Sequence, residues 1–214
     1  MSANGPPLAP DPPRVFVVDD EAAVRTAVAR LLRSMGIEVA LFGSPAEFIA
    51  AYDPDAPGCL LLDVAMPGLS GLQLQGVLAR RGGALPIIFL SGQADVPISV
   101  QAMKAGAADF LTKPVAAEVL LAAVRAAFDK DRLARLARAE AAEFGARLAS
   151  LTPREREVLT HVVAGRLNKQ IAGDLGTVEQ TVKIHRARVM TKMKVTSVAD
   201  LVRLVERMRT GTTA

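Results

Sequence analysis

Val15-Phe16-Val17-Val18-Asp19-Asp20 is the stretch that decides the fold. A run of β-branched and aromatic residues with no polar alternation suits a strand buried on both faces, and two carboxylates close it. The pattern returns along the chain. Leu60-Leu61-Leu62 ends on Asp63, Ile87-Ile88-Phe89-Leu90 ends on Ser91, and Asp109-Phe110-Leu111-Thr112 ends on Lys113-Pro114. Short apolar runs separated by amphipathic segments predict a parallel sheet with helices on both faces. The carboxyl ends of such strands share one edge, where α/β sheets bind ligands. Asp19, Asp20, Asp63, Ser91 and Lys113 are therefore expected to converge on one crevice.

Strands are predicted near 14–18, 37–42, 59–62, 86–90 and 108–111, and helices near 21–34, 45–51, 70–79, 97–104 and 116–128. Gly36, Pro57-Gly58, Gly82-Gly83 and Gly106 punctuate them. Beyond this α/β part the chain becomes all-α. Residues 129–150 lack proline and read as a helical linker continuing the preceding helix, able to pair with its copy. Four helices follow, near 153–164, 168–175, 178–192 and 197–208. Thr152 and Ser197 are candidate N-caps, with Pro153 at a first helical position and Glu155 closing a capping box. The expected order is a tail over 1–13, a doubly wound five-stranded domain over 14–128, a linker over 129–150 and a helical domain over 151–210.

With 214 residues, 50% hydrophobic, the chain can build one large domain or two small ones; only 4% is aromatic and Trp is absent, so Leu, Val, Ile and Ala must fill the cores. The single Cys59 excludes an internal disulfide and suits a reducing cytosol. No apolar run approaches the roughly 18 residues of a membrane span. Met1 to Pro13 lacks the regions of a signal peptide and reads as a disordered tail. Charge is uneven: residues 1–128 hold 9 basic and 12 acidic side chains, whereas 129–214 hold 17 and 10. An acidic front and a basic back imply different partners, nucleic acid being a candidate for the second.

Adjacent acids at a strand end repel unless a cation lies between them. Asp19, Asp20 and Asp63 are hard oxygen donors of the kind Mg2+ takes. A carboxylate can act as nucleophile and form an acyl phosphate. Lys113 then adds counter-charge and Ser91 a hydroxyl donor. Taken singly, Asp20 could cap the next helix and Asp63 could open a turn at Met66-Pro67-Gly68; together at strand ends they favour phosphoryl chemistry. A haloacid-dehalogenase-type phosphatase needs a second acid two residues after its nucleophile, and that position is Ala65, so turnover is not expected. No G-x-G-x-x-G follows the first strand, which disfavours a dinucleotide-binding dehydrogenase.

Val17-Val18-Asp19-Asp20-Glu21, Leu61-Leu62-Asp63-Val64-Ala65-Met66-Pro67-Gly68, Leu90-Ser91-Gly92 and Phe110-Leu111-Thr112-Lys113-Pro114 resemble the receiver domain of two-component response regulators. The resemblance implies that Asp63 accepts phosphate from a sensor histidine kinase. It implies that Asp19, Asp20, Asp63 and the backbone carbonyl of Ala65 hold Mg2+. Lys113 would pair with the phosphoryl group, Ser91 and Phe110 would form a switch pair, and the bond before Pro114 would be cis.

In the basic half, Gly176-Thr177 joins a short helix to a longer one, a helix-turn-helix pattern. At 100° per residue Val182, His185, Val189 and Met193 share an inward face. Gln180, Lys183, Ile184, Ala187, Arg188 and Thr191 lie opposite, with bases for phosphates and small or amide groups for base edges. Leu151-Thr152-Pro153-Arg154-Glu155-Arg156-Glu157-Val158-Leu159, Asn168-Lys169-Gln170-Ile171-Ala172 and Thr181-Val182-Lys183-Ile184-His185-Arg186 resemble a LuxR-type DNA-binding domain. With the receiver, the chain resembles the FixJ branch of the NarL/FixJ response regulators. That implies Lys183, Ile184 and Ala187 at bases, and Asn168, Lys169, Thr181, Arg188 and Lys192 near phosphates. The last helix, around Val198, Leu201, Val202 and Val205, would pair with its copy. Val178 stands where relatives carry a Ser or Thr cap, and Gly173 interrupts a helix. The expected protein is a cytoplasmic, phosphorylation-switched regulator that dimerises on promoter DNA, with RNA polymerase a possible partner. The alternative is a receiver whose basic domain binds protein or RNA.

Overall fold

The computed structural model describes residues 12–83, 85–92 and 96–211, so most of the expected tail lies outside the described residues. The chain parts into two compact units between Arg135 and Leu136.

The first unit alternates strand and helix: β1 (Arg14–Val18), α1 (Ala22–Ser34), β2 (Glu38–Phe42), α2 (Pro45–Ala51), β3 (Gly58–Asp63), α3 (Gly71–Arg80), β4 (Ile87–Ser91), α4 (Val96–Lys104), β5 (Asp109–Thr112) and the start of α5 (Ala117–Ala149). All strand pairings are parallel, in the order β2-β1-β3-β4-β5. The order reverses between β1 and β3, so the crevice of a doubly wound sheet opens there. Alternate strand residues supply two cores. Phe16, Val18, Leu60, Leu62 and Phe89 pack on one face with Phe48, Leu74 and Ala102. Val15, Val17, Leu61, Ile88 and Leu90 pack on the other with Leu32, Leu120 and Val124. That two-sided burial explains why the strands read as unbroken apolar runs.

Gly58 and Gly71 are needed by geometry. Gly58 has φ +151°, and a Cβ there would fall 2.0 Å from the Arg14 carbonyl oxygen. A Cβ on Gly71 would fall 2.2 Å from the carbonyl oxygen of Asp63, so the first turn of α3 lies directly on the end of β3.

The receiver was expected to end at 128, yet the first unit extends to Arg135. Asp131, 2% exposed, accepts from the Gly58 N–H at 3.0 Å and from Arg135 Nε at 2.7 Å. Arg135 in turn donates to the carbonyls of Asp55 and Ala56. This tie uses polar residues, so the apolar pattern that located the other elements carried no signal of it.

The second unit holds the rest of α5, then α6 (Pro153–Val163), α7 (Asn168–Asp174), α8 (Glu179–Lys192) and α9 (Val198–Gly211). Leu151, Val158, Val162, Ile171, Val182, Val189, Met193, Leu201 and Val205 form its core, with Phe144 and Leu148 of α5 packed against them. Thr152 makes the expected capping box with Glu155, and Ser197 accepts from the Asp200 N–H at 3.1 Å. Neither Leu167, before α7, nor Val178, before α8, caps its helix through a side chain.

Candidate functional site

The strand ends gather Asp19, Asp63, Ser91 and Lys113 at the carboxyl edge of the sheet. Asp19 is 1%, Asp63 6% and Ser91 7% exposed. Lys113 Nζ donates to Asp19 Oδ2 and to Asp63 Oδ1, each at 2.6 Å. The remaining oxygens are also held: Asp19 Oδ1 accepts from the Glu21 N–H and Asp63 Oδ2 from the Ala65 N–H, both at 2.8 Å. The Lys113 N–H donates to the Ser91 carbonyl at 2.7 Å, joining the ends of β4 and β5. The Lys113–Pro114 bond is cis.

Burial lifts the Asp63 carboxyl above its ordinary range, and the Asp19 charge adds to that, against the pull of Lys113 and the Ala65 N–H. Desolvation works to lower the Lys113 pKa, but the two carboxylates outweigh it and hold the ammonium above its usual value. The site thus holds a carboxylate partly relieved of water, with a fixed cation against it.

Asp20 is exposed beside this edge, and among the described residues no three acidic, His or Cys side chains gather closely enough to form a metal-binding group. Neighbouring residues leave a strand in opposite directions, so burying Asp19 turns Asp20 outward. Nor does Asp20 cap α1, whose N-cap is Glu21 without a side-chain bond. Two residues that the sequence did not single out support the edge. Arg25 donates to the Asp19 carbonyl at 2.5 Å, and Gly71 admits the close approach of α3 to Asp63. The glycine at a helix's first position was a readable signal; Arg25 offered none.

Phe110 is half-buried against the first core, its ring centroid 6.1 Å from that of Phe89. Ser91 lies two register steps farther along β4, opposite Thr112.

In the second unit, Lys183, Ile184, Ala187 and Arg188 of α8 are exposed on one side, while Val182, Val189 and Met193 are buried on the other. Ile184 is 46% exposed. Lys169 is exposed and Thr181 half-buried; Asn168 Oδ1 accepts from Arg186 at 2.9 Å. Lys183 lies 3.4 Å from Glu179.

Lys192 does not extend that face. Its ammonium donates to Glu155 Oε2 at 2.6 Å and to the Ser150 carbonyl at 2.9 Å. Glu155 is 2% exposed, and Lys192 with the Thr152 N–H lowers its pKa from 4.5 to about 2. A buried carboxylate needs a cation, and Lys192 is the one within reach. In this arrangement Lys192 ties α8 to α6.

A five-stranded receiver-type sheet with an acid–lysine edge, followed by a helix-turn-helix with an exposed basic face, defines a phosphorylation-controlled DNA-binding protein class. The comparisons agree. Residues 15–125 match the response regulator receiver domain, and 149–205 match the bacterial regulatory proteins of the luxR family. The chain belongs to the response regulators with a LuxR-type DNA-binding domain, of the FixJ-like kind. It is 47% identical over 194 residues to nodulation protein W of Bradyrhizobium diazoefficiens, covering 91% of this chain and 86% of that protein. It is 48% identical over 192 residues to the transcriptional regulatory protein FixJ of Azorhizobium caulinodans, covering 89% and 90%. Among solved structures it is similar to the response regulator StyR, with a TM-score of 0.86 at 44% identity over 91% of this chain and 98% of that one. Full-length FixJ from B. japonicum gives 0.56 at 38% identity, covering 92% and 98%. No helix among the described residues is long and apolar enough to cross a membrane.

Proposed function

We propose that Asp63 is the phosphoacceptor of this regulator and that its phosphorylation, by a sensor histidine kinase, controls dimerisation and promoter binding. The observation that carries this reading is the single ammonium of Lys113 bridging Asp63 and Asp19 at the sheet edge. An Asp63 carboxylate oxygen attacks the phosphorus of a phosphohistidine. The new O–P bond forms as the P–N bond breaks, and the imidazole leaves with the electron pair. Lys113 stays as counter-charge to a group that brings about two negative charges and three acceptor oxygens. The Ser91 hydroxyl turns toward those oxygens, and Phe110 moves into the space it leaves.

Asp19, Asp63 and the Ala65 carbonyl form an all-oxygen donor set that suits a hard cation retaining several waters, with Asp20 on its exposed side. Bound Mg2+ would neutralise charge on the phosphoryl oxygens. Ala65 supplies no general acid, so Asp63 stores the group instead of turning it over.

The exposed face of α8 supports DNA reading in the major groove: Lys183, Ile184 and Ala187 at base edges, Arg188, Lys169, Asn168 and Thr181 at the backbone. Two copies, paired through the receiver and α9, would read a pseudo-palindromic site and present the complex to RNA polymerase in the cytoplasm.

Incubation with acetyl phosphate and Mg2+ tests the reading. The wild-type chain gains one phosphoryl group by mass, dimerises and binds its selected site more tightly; Asp63→Asn does none of these. A phosphorylated Asp63→Asn chain, or wild type without a DNA response, refutes it. Equal affinity for selected and random duplex would return the basic unit to a protein- or RNA-binding role.

A further inference from the structure

The first core contains one amide that apolar packing does not call for. Gln75, in the middle of α3, is 4% exposed among Leu74, Leu78 and their neighbours. Its Nε2 donates to the carbonyls of Ala102 and Ala105, at 3.1 and 3.2 Å. Ala102 lies in the last turn of α4 and Ala105 just past its end, and the Ala102 carbonyl also accepts from the Ala107 N–H at 3.1 Å. α4 buries little of its apolar surface, with Ile98 half-buried against the first core. Ala102 is its only buried residue, while Val96, Val100 and Met103 are 69%, 44% and 46% exposed.

The other end of α3 lies against the phosphoacceptor. The Gly71 N–H donates to the Val64 carbonyl at 3.1 Å, and a Cβ on Gly71 would strike the Asp63 carbonyl. Any shift of the Asp63 backbone therefore meets α3 directly, with no side chain between to absorb it. One short helix thus touches the phosphoacceptor at its first residue and grips α4 from its next turn.

We infer that Gln75 is a positioning residue of the switch: it holds α4 in the resting arrangement, and phosphorylation at Asp63 acts on that hold through α3. This route is separate from the Ser91–Phe110 pair and rests on the proposed role of Asp63. Release of the two hydrogen bonds favours the active arrangement of α4. Removing them by mutation therefore raises the basal population of that arrangement.

Gln75→Met keeps the side chain's length and volume but has no donor. Gln75→Glu keeps the shape and sets a carboxylate against the two carbonyls. DNA affinity is measured for each, and for wild type, with and without acetyl phosphate. The unphosphorylated affinity of Gln75→Met rises by about tenfold, the scale of one net buried hydrogen bond, while the phosphorylated affinity is unchanged. Gln75→Glu rises at least as far. The ratio of the two affinities therefore narrows, which a purely structural loss would not produce. A folded Gln75→Met chain with an unchanged ratio, or with both affinities reduced together, overturns the inference. In wild-type protein, the Gln75 side-chain NH2 resonances shift on phosphorylation; resonances that stay in place also overturn it, whatever the variants do. Wild type that is phosphorylated without any change in DNA affinity defeats the underlying reading instead, and the two failures are thereby distinguished.

Discussion

Lys183, Arg188 and Lys192 lie within three turns of one helix, yet they have different electrostatic employment. Arg188 is exposed and faces the expected groove side, whereas Lys192 is spent on Glu155 and the Ser150 carbonyl. Salt titration separates the two. Each phosphate contact contributes close to one unit to the slope of log affinity against log salt. Arg188→Ala should lower that slope by about one, and Lys192→Met should leave it unchanged while lowering the unfolding midpoint of the second unit. A reduced slope in Lys192→Met would restore it as a phosphate contact. The partner acid gives a pH test. Glu155 has a pKa of about 2 in the folded chain against an ordinary 4.5, so in that window the unfolded chain binds more protons. Its stabilisation is complete above pH 4.5 and is lost as the pH falls toward 2. Thermal unfolding of wild type and Glu155→Gln across this range should show their difference shrinking with acid; a constant difference would mean that Glu155 acts only through packing.

Two substitutions at helix ends and interiors follow from backbone geometry alone. Gly173 lies inside α7 with ordinary helical φ, and a Cβ there would meet nothing within 4 Å. Gly173→Ala should therefore stabilise the second unit by about 0.5–1 kcal/mol. Lys194 is the reverse case. It follows α8 with φ 54°, in a left-handed turn that its own N–H closes on Thr191 and the Val195 N–H closes on Met190. Lys194→Gly should gain about 1 kcal/mol by removing the Cβ clash, since its ion pair with Glu143 is exposed and worth little. Urea unfolding reads both, and loss of stability in either variant would contradict the geometry. The contrast shows what the sequence made legible. All five strands lie within about two residues of their expected bounds, because burial on both faces writes itself as apolar runs ending on polar residues. Gly173 was visible as a helix interruption. Lys194 was not, because a lysine carries no mark of a left-handed backbone. The same limit hid Asp131, Gln75 and the second role of Glu155: each acts by bonding a distant carbonyl, amide or ammonium, and no periodicity encodes that. Asp19, Asp63, Ser91 and Lys113 were legible because strand ends of a parallel sheet must share an edge. That rule does not say which way an adjacent side chain turns, so the exposure of Asp20 was not legible.

For the whole molecule, the segment read as a linker has a different standing. Residues 136–149 belong to the second unit, to which they contribute Phe144 and Leu148. Arg147 donates to the Met193 carbonyl at 3.1 Å, at the C-cap of α8, and Glu143 pairs with Lys194 at 3.3 Å. Arg207 of α9 lies 3.7 Å from Glu140. A spacer would need none of these contacts, whereas a structural helix of the DNA-binding unit would. The distinction is measurable with two fragments, 136–214 and 151–214. A domain of about 60 residues buries only about 60% of its unfolded surface and is marginal on its own. Removing two partly buried side chains of this size costs about 2–4 kcal/mol, a large part of the 5–15 kcal/mol typical of a whole domain. The longer fragment should unfold cooperatively in urea with a clearly higher midpoint, and should bind the selected site more tightly at 25 °C. The ion pairs are surface contacts and should add little, so Glu143→Ala in the longer fragment should move the midpoint far less than Phe144→Ala. If both fragments share one midpoint, residues 136–149 are a spacer after all. If Glu143→Ala matches Phe144→Ala, charge and not the apolar seam seats the helix.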